Sequence, residues 1–262
     1  MPVTIATWNI NSVRLRVDLV AAFLEAESPD VLCLQETKSP VEKIPADRFA
    51  ALGYTAMEAR GFKGYNGVAI FSRLPMEPLE ARDFCGREDA RHVGVMLPGG
   101  VALHNLYVPA GGDEPDREKN PKFAHKLDFV AEMAEWGQAM SGPAIAVGDL
   151  NIAPLEHDVW SHKQMLKVVS HTPVEVEAFE AARAAGGWSD VTRADIPPEE
   201  KLYSWWSYRA RDWALADRGR RLDHIWARGV TAVPGSSRVL RSWRGKEKPS
   251  DHVPVLASFD ID

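Results

Sequence analysis

The 262-residue chain reads as an α/β fold with mixed strands in a single domain, residues 1–262. Three observations predict this. Short apolar runs alternate with helical stripes along most of the chain, and the C-terminal part turns strand-rich. No low-complexity linker and no internal repeat with a period of about 20–50 residues divides it.

Residues 3–8 form a short apolar run, read as a buried strand. Residues 13–26 follow, with Val13, Val17, Val20, Phe23 and Leu24 on one helical stripe. Pro29-Asp30 breaks the chain before a strand at 31–34, and 67–71 is another. Residues 93–97 and 101–108 predict a hairpin, because Pro98-Gly99-Gly100 supplies turn chemistry between them. The segment 110–121, rich in Gly, Pro and charge, predicts a loop. A helix over 123–140 carries Phe123, Leu127, Val130, Met133, Ala134 and Trp136. A strand at 144–147 follows, then a helix at 174–185 that stops at Gly186-Gly187. Strands at 203–208, 222–227 and 253–259 close the chain.

A hydrophobic share of 45% and a charged share of 26% exclude a disordered tail, a collagen-like fibre and a low-complexity scaffold. No run approaches the roughly 18–20 apolar residues of a membrane span. Cys33 and Cys85 form neither a disulfide framework nor a CxxC pair, and read as one core and one loop cysteine. With an N-terminus, MPVTIATWNI, unlike a signal peptide, they point to a reduced cytoplasmic protein. The net charge of −6 argues, as an average, against a nucleic-acid partner. The average hides a division. Residues 201–250 hold 12 Lys or Arg against four acids, a balance of +8, which leaves −14 elsewhere. That basic stretch is aromatic-rich, as a phosphate-binding surface would be, although a solvated basic face is the ordinary alternative.

Four apolar strands each empty into polar groups: Asn9 and Asn11, Gln35-Glu36, Tyr107, and Asp149 with Asn151. The i, i+2 spacing of Asn9/Asn11 and of Asp149/Asn151 would put each pair on one side of an extended chain. Asp223 and Asp251-His252 instead stand where late strands begin. If those strands run antiparallel to the others, one rim gathers Glu36, Asp149, Asp223 and Asp251 with Asn9, Asn11, Asn151, Tyr107 and His252. Four carboxylates so close repel unless a cation neutralises them. Oxygen-rich, sulfur-free donors suit Mg²⁺ or Mn²⁺ rather than zinc, and there is no HExxH. A hard cation, carboxylates and a histidine suit phosphate-ester hydrolysis. Taken singly, each residue has a plainer reading as a turn former, cap, strand aromatic or structural histidine. The joint pattern at six strand termini is what singles them out.

The segments TWNINSVR from Thr7, LQETK from Leu34, LYVPAGG from Leu106, GDLNIAP from Gly148, YSWWSYR from Tyr203, RRLDHIWA from Arg220 and KPSDHVPV from Lys248 span nearly the whole chain. In them the sequence resembles the exonuclease III family of abasic-site endonucleases, within the wider exonuclease–endonuclease–phosphatase superfamily. The resemblance implies a four-layer αββα sandwich of two mixed β-sheets flanked by helices. It implies a monomeric Mg²⁺-dependent nuclease, with Mn²⁺ substituting, that acts on double-stranded DNA at abasic sites and at recessed or blocked 3′ ends. Glu36 would be the principal metal ligand, with Asn9, Asp149, Asn151, Asp251 and His252 around the metal. Asp149 would activate water and relay a proton, Asn151 orient the water, and Tyr107 contact the phosphate or leaving group. His252, held by Asp223, would bind a phosphate oxygen. Asn11, Lys38, Trp205, Arg220 and Leu222 would contact DNA or line an abasic pocket, with one of Trp205 and Trp206 in the core. Two positions depart from relatives: Ala110 replaces an amide, and Arg220 stands where animal relatives carry Trp. Two other functions stay open. One is a superfamily phosphatase acting on inositol phosphates or a phospholipid. The other is a DNA-binding module without catalysis.

Overall fold

Backbone pairing joins the apolar runs into two large sheets. The computed structural model describes residues 2–261. In chain order the first strands are β1 (Val3–Asn9), β2 (Val31–Gln35), β3 (Ala56–Phe62), β4 (Tyr65–Ser72) and β5 (Glu77–Leu79). Next come β6 (His92–Leu97), β7 (Val101–Tyr107), β8 (Ala144–Asp149), β9 (Ser189–Asp190) and β10 (Trp205–Trp206). The last are β11 (Gly219–Arg220), β12 (Asp223–Arg228), β13 (Thr231–Ala232), β14 (Arg238–Val239) and β15 (Val255–Asp260). The helices are α1 (Val17–Glu27), α2 (Ala46–Ala50), α3 (Pro121–Ala139), α4 (His162–Met165), α5 (Pro173–Ala185), α6 (Val191–Asp195) and α7 (Trp213–Ala216).

One sheet has seven strands in the order β13-β15-β1-β2-β4-β3, with β14 also on β15; the other has six, β5-β6-β7-β8-β12-β9. Both are mixed. β1 and β2 are parallel, as are β7 and β8, while β15, β4, β6 and β12 pair antiparallel with them. Alternation along each strand sorts its residues between two faces. Ile5, Cys33, Ile70 and Val255 of the first sheet meet Val95, Leu103, Val147 and Ile225 of the second. Trp8, Leu34 and Leu256 turn outward onto Phe23 and Leu24 of α1. Leu106, Ala146 and Trp226 turn the other way, onto α3 and α5 through Phe129, Met133 and Phe179. Helix, sheet, sheet and helix stack in four layers, the expected αββα sandwich. Since β15 opposes β1 and β12 opposes β8, late strand starts meet early strand ends on one rim.

The hairpin at Pro98-Gly99-Gly100 forms, with Gly99 and Gly100 at φ 75° and 71°. Helix α3 is capped by Asn120, whose side chain accepts from the Lys122 N–H at 3.0 Å, and Pro121 supplies the first turn. Two expectations shift, and one strand was not expected. The first helix begins at Val17 rather than 13, because Val13 N–H is held by the Thr37 carbonyl at 3.1 Å and the chain must turn before it can coil. The expected strand at 203–208 shrinks to Trp205–Trp206, paired with Gly219–Arg220 and bridged by Trp205 to His252. Strand β3, an edge strand half-buried along most of its length, carries no alternation strong enough to reveal it in sequence.

Candidate active site

Register builds the site. Tyr107, Asp149 and Asp223 stand side by side on β7, β8 and β12, one row across three neighbouring strands. Gly148 makes the row possible: its φ is 144°, and a Cβ there would lie 1.9 Å from the Leu106 carbonyl oxygen. From the other sheet, Asn9 pairs with Gln35 at the ends of β1 and β2. Gln35 is fully buried and donates to Asn105 Oδ1 of β7 at 2.6 Å, tying the two sheets together beneath Glu36. The motif QE thus divides into a structural amide and a carboxylate at the mouth of the cleft.

The two i, i+2 pairs converge by a different route from the one expected. The strands end at Asn9 and Asp149, and Asn11 and Asn151 adopt left-handed φ values of 47° and 54°. In each case the later residue's N–H donates to the earlier side chain, Asn11 to Asn9 Oδ1 and Asn151 to Asp149 Oδ1, both at 3.1 Å. A side-chain turn, not an extended chain, makes each pair. Asparagine tolerates that backbone better than most residues.

Around these ends the polar groups interlock. Asn9 Nδ2 donates to Glu36 Oε1 at 2.9 Å and to Asp149 Oδ2 at 2.8 Å. The Tyr107 hydroxyl donates to Glu36 Oε1 at 2.9 Å. Lys38 Nζ lies 2.7 Å from Glu36 Oε2 and donates to Asn11 Oδ1 at 2.6 Å. Asp251 accepts from Asn11 Nδ2 at 3.1 Å and from the Trp205 indole at 3.0 Å. His252 donates through Nδ1 to Asp223 Oδ2 at 2.8 Å, and its Nε2 faces Asp149 Oδ2 at 3.7 Å. Asp223 Oδ2 also accepts from Ser204 Oγ at 2.6 Å.

Charge is balanced by more than the sequence argument assumed. Burial works to raise the Glu36 carboxyl, but Lys38 and the Asn9 amide hold it below the usual range. Burial also opposes the His252 imidazolium, yet the Asp223 and Asp149 charges raise its pKa to about 10. Asp149 is pushed up, first by burial and then by Asp223 and Glu36. Tyr107 stays a neutral phenol, because burial and the Glu36 and Asp149 charges all raise it. Lys38 and His252 therefore supply the positive charge that repulsion among four carboxylates demands. Glu36 and Asp149 still offer carboxylate oxygens at the cleft and no thiolate is among its lining residues, a donor set that fits a hard divalent cation. His252 could offer Nε2 to a metal only after losing its proton, which the Asp223 and Asp149 charges oppose.

The cleft, about 580 Å³, runs from this cluster to a basic, aromatic end. Trp205 carries the Arg220 guanidinium 5.0 Å from its ring centroid, and Trp160 carries Arg218 at 4.7 Å. Arg220 also donates to the Val169 carbonyl at 3.2 Å and to Ser170 Oγ at 3.0 Å. Leu222 packs with Ala153, Val159 and Met165 on the floor. Trp206 turns into the core, where it packs edge-on against Tyr203 and Trp213. Lys38 is the residue whose surroundings differ most from the reading as a DNA contact, since Glu36 and Asn11 hold its ammonium. The basic surplus of 201–250 is also only partly at the cleft: Arg221 is buried against Asp158 at 2.9 Å and Asp190 at 2.8 Å.

Several residues at the site escaped the sequence reading. Arg91 sits 4.8 Å over the Tyr107 ring and donates to its carbonyl at 3.2 Å. Ser204 props Asp223, and Trp160, Val169 and Ser170 form part of the cleft wall. None carries a local signal. Lys126 and Glu175 did carry one: each is a charge set on the apolar stripe of its helix.

The Endonuclease/Exonuclease/phosphatase family matches residues 6–252. An exodeoxyribonuclease III from Haemophilus influenzae is 30% identical over 97% of this chain and 98% of its own length. Among solved structures, an AP endonuclease from Archaeoglobus fulgidus superposes with a TM-score of 0.89 at 31% identity, covering 99% of this chain and 100% of that one. The 3′ phosphatase NExo from Neisseria, bound to product DNA hairpin, gives a TM-score of 0.86 at 30% identity, over 98% and 99% of the two chains. Fold, rim and sequence agree: the chain belongs to the endonuclease/exonuclease/phosphatase family, in its exodeoxyribonuclease III branch of phosphodiester hydrolases.

Proposed function

We propose that this protein is a Mg²⁺-dependent DNA repair nuclease that hydrolyses phosphodiesters 5′ of abasic sites and removes nucleotides or blocking groups from the 3′ ends of duplex DNA. One observation carries the reading: Tyr107 and Asp149, with Glu36 and the His252 that Asp223 holds from behind, open into the same cleft as the Trp160/Arg218 and Trp205/Arg220 stacks. Hydrolytic groups and a surface suited to a phosphate backbone share one opening. The relatives named above act as exonuclease, AP endonuclease and 3′ phosphatase, all reactions at a phosphate ester of DNA.

Asp149, its carboxyl raised by burial and neighbouring charges, takes the proton of the attacking water and delivers one to the leaving oxygen. Asn9 fixes the Asp149 oxygen, and the Asn151 side chain orients the water. His252, held cationic by Asp223, places a donor at a phosphate oxygen as charge develops in the transition state. The neutral Tyr107 hydroxyl donates to the phosphate or the leaving group. Glu36 and Asp149, with Asn9, Asn151 and Asp251 around them, would hold Mg²⁺, which supplies charge stabilisation to the phosphoryl oxygens; Mn²⁺ suits the same oxygens. Trp205, Leu222 and Arg220 receive the extruded base-less sugar, which is cheap to flip because it has no base to unstack. The chain acts as one domain and a monomer in the cytoplasm. Among the described residues no helix is long and apolar enough to cross a membrane.

Gel electrophoresis of an end-labelled duplex with one abasic analogue, run with Mg²⁺, with EDTA, and beside an undamaged control, tests the reading. Incision at the analogue and 3′ trimming, both abolished by EDTA and restored by Mg²⁺, are expected. Turnover of a phospholipid or inositol phosphate with no cleavage of either duplex overturns it.

A further inference from the structure

Behind the cleft, outside the residues that line it, lies an ion pair with no access to solvent. Lys126 of α3 and Glu175 of α5 are each 0% exposed, with Nζ and Oε1 2.5 Å apart. Both occupy apolar stripes, Lys126 between Phe123 and Val130, Glu175 ahead of Phe179 and Ala182. Apolar side chains would satisfy the packing there, and burying two ions carries a desolvation cost that packing does not explain.

The pair's other hydrogen bonds reach the loops of the cleft wall. Lys126 Nζ donates to the Asn151 carbonyl at 2.7 Å and reaches the Ala110 carbonyl at 3.4 Å. The Glu175 carboxylate accepts from Ser170 N–H at 2.9 Å, Thr172 N–H at 3.2 Å and Thr172 Oγ1 at 2.6 Å. The turn after Ala110 is shaped around the lysine: Gly111 has φ 87°, and a Cβ there would lie 2.9 Å from Lys126 Cδ. Three loops therefore converge on one buried pair: those after β7 and β8, and the one between α4 and α5. Asn151 is gripped at three of its polar groups. Its N–H donates to Asp149, its amide to the Val108 carbonyl at 2.9 Å, and its carbonyl accepts from Lys126. Ser170 passes the constraint to Arg220, which donates to its hydroxyl.

We propose that Lys126 and Glu175 form a positioning pair, which holds Asn151 against Asp149 on one side of the cleft and Ser170 under Arg220 on the other. The role of Asn151 rests on the nuclease reading above; the loop geometry does not. A displacement of about 1 Å at a reacting centre can cost about 100-fold in rate. The pair touches neither substrate nor reacting atoms, so its loss acts on turnover through Asn151.

The test compares wild type with Lys126→Met, Glu175→Gln and the double variant Lys126→Met/Glu175→Leu. It measures kcat and KM on abasic duplex, melting temperature, and amide hydrogen exchange in the free protein. Either single variant is expected to lose about 10- to 100-fold in kcat with KM changed much less. Exchange at residues 150–153 and 168–172 should quicken. The double variant restores the melting temperature, because no lone charge is left buried, but not kcat or slow exchange. Recovery of kcat to near wild type along with melting overturns the proposal, since the pair would then be replaceable packing. Should the double variant not fold, Glu175→Gln alone decides, measured well below its own melting temperature: wild-type kcat and exchange overturn the proposal, and lower kcat with faster exchange confined to residues 150–153 and 168–172 supports it. A wild-type enzyme inert on DNA would refute the nuclease reading, while the exchange measurement still reports on the clamp.

Discussion

Replacing Asp223 by asparagine removes one charge and keeps the shape of the group that holds His252. The imidazole has its pKa raised from 6.5 to about 10, burial being overcome by Asp223 and then Asp149. A folded-state pKa above the unfolded one means that the imidazolium stabilises the fold fully below about pH 6.5, and this stability is lost as pH rises through about 10. Each pKa unit corresponds to about 1.4 kcal/mol, so the climb from pH 7.5 to 10 removes roughly 3 kcal/mol. For a chain of 262 residues that lowers the melting temperature by roughly 6 °C. Asp149 does not blur this window, because its raised pKa, about 7, lies below it. Lysines and tyrosines titrate in both proteins and cancel in the comparison. Melting followed by circular dichroism in EDTA, across pH 7.5 to 10, should show a steep decline in wild type and a shallower one in Asp223→Asn. Histidine NMR should place the His252 titration far above neutral in wild type and lower in the variant. Parallel melting curves, or a wild-type His252 titrating near its ordinary 6.5, would refute the reasoning.

Two further outcomes are expected. Asp149→Ala should lower kcat by several orders of magnitude with DNA affinity largely kept, because the loss falls on the transition state; near-normal turnover would mean the proton-transfer role is misassigned. Asp158→Asn leaves Arg193 and Arg221 facing a neutral group in a buried cluster, where Asp158 Oδ1 now accepts from them at 2.5 Å and 2.9 Å. That should cost about 3–5 kcal/mol, and an unchanged melting temperature would show the cluster to be dispensable.

The strand-end residues were legible because a strand is a short apolar run, and a polar group at its end stands out against it. Asn9, Glu36, Tyr107, Asp149, Asp223 and His252 were all found this way, and the structure gathers them on one rim. Trp205, Arg220 and Leu222 came from the resemblance instead, since short irregular segments hold them and local periodicity says nothing of such segments. Ser204, Arg91 and Ser170 stayed hidden for a related reason. Each acts through one contact with a residue far along the chain, and single polar residues in loops have no local pattern. Lys126 and Glu175 were passed over although each is a charge on an apolar stripe, and nothing local shows that each answers the other across 49 positions.

By itself, then, the sequence determined the alternation of strands and helices, the hairpin, the helix stops and the polar character of the strand ends, all set by contacts within a few residues. It also showed that a net charge of −6 conceals a basic segment. Only the tertiary structure decided what those charges do. Arg220 stacks on Trp205 at the cleft, Arg221 is locked to Asp158 and Asp190, and Lys38 neutralises Glu36. Adjacent arginines met different fates because successive residues of an extended chain face opposite ways, and the partner on each side was chosen by the packing of distant loops.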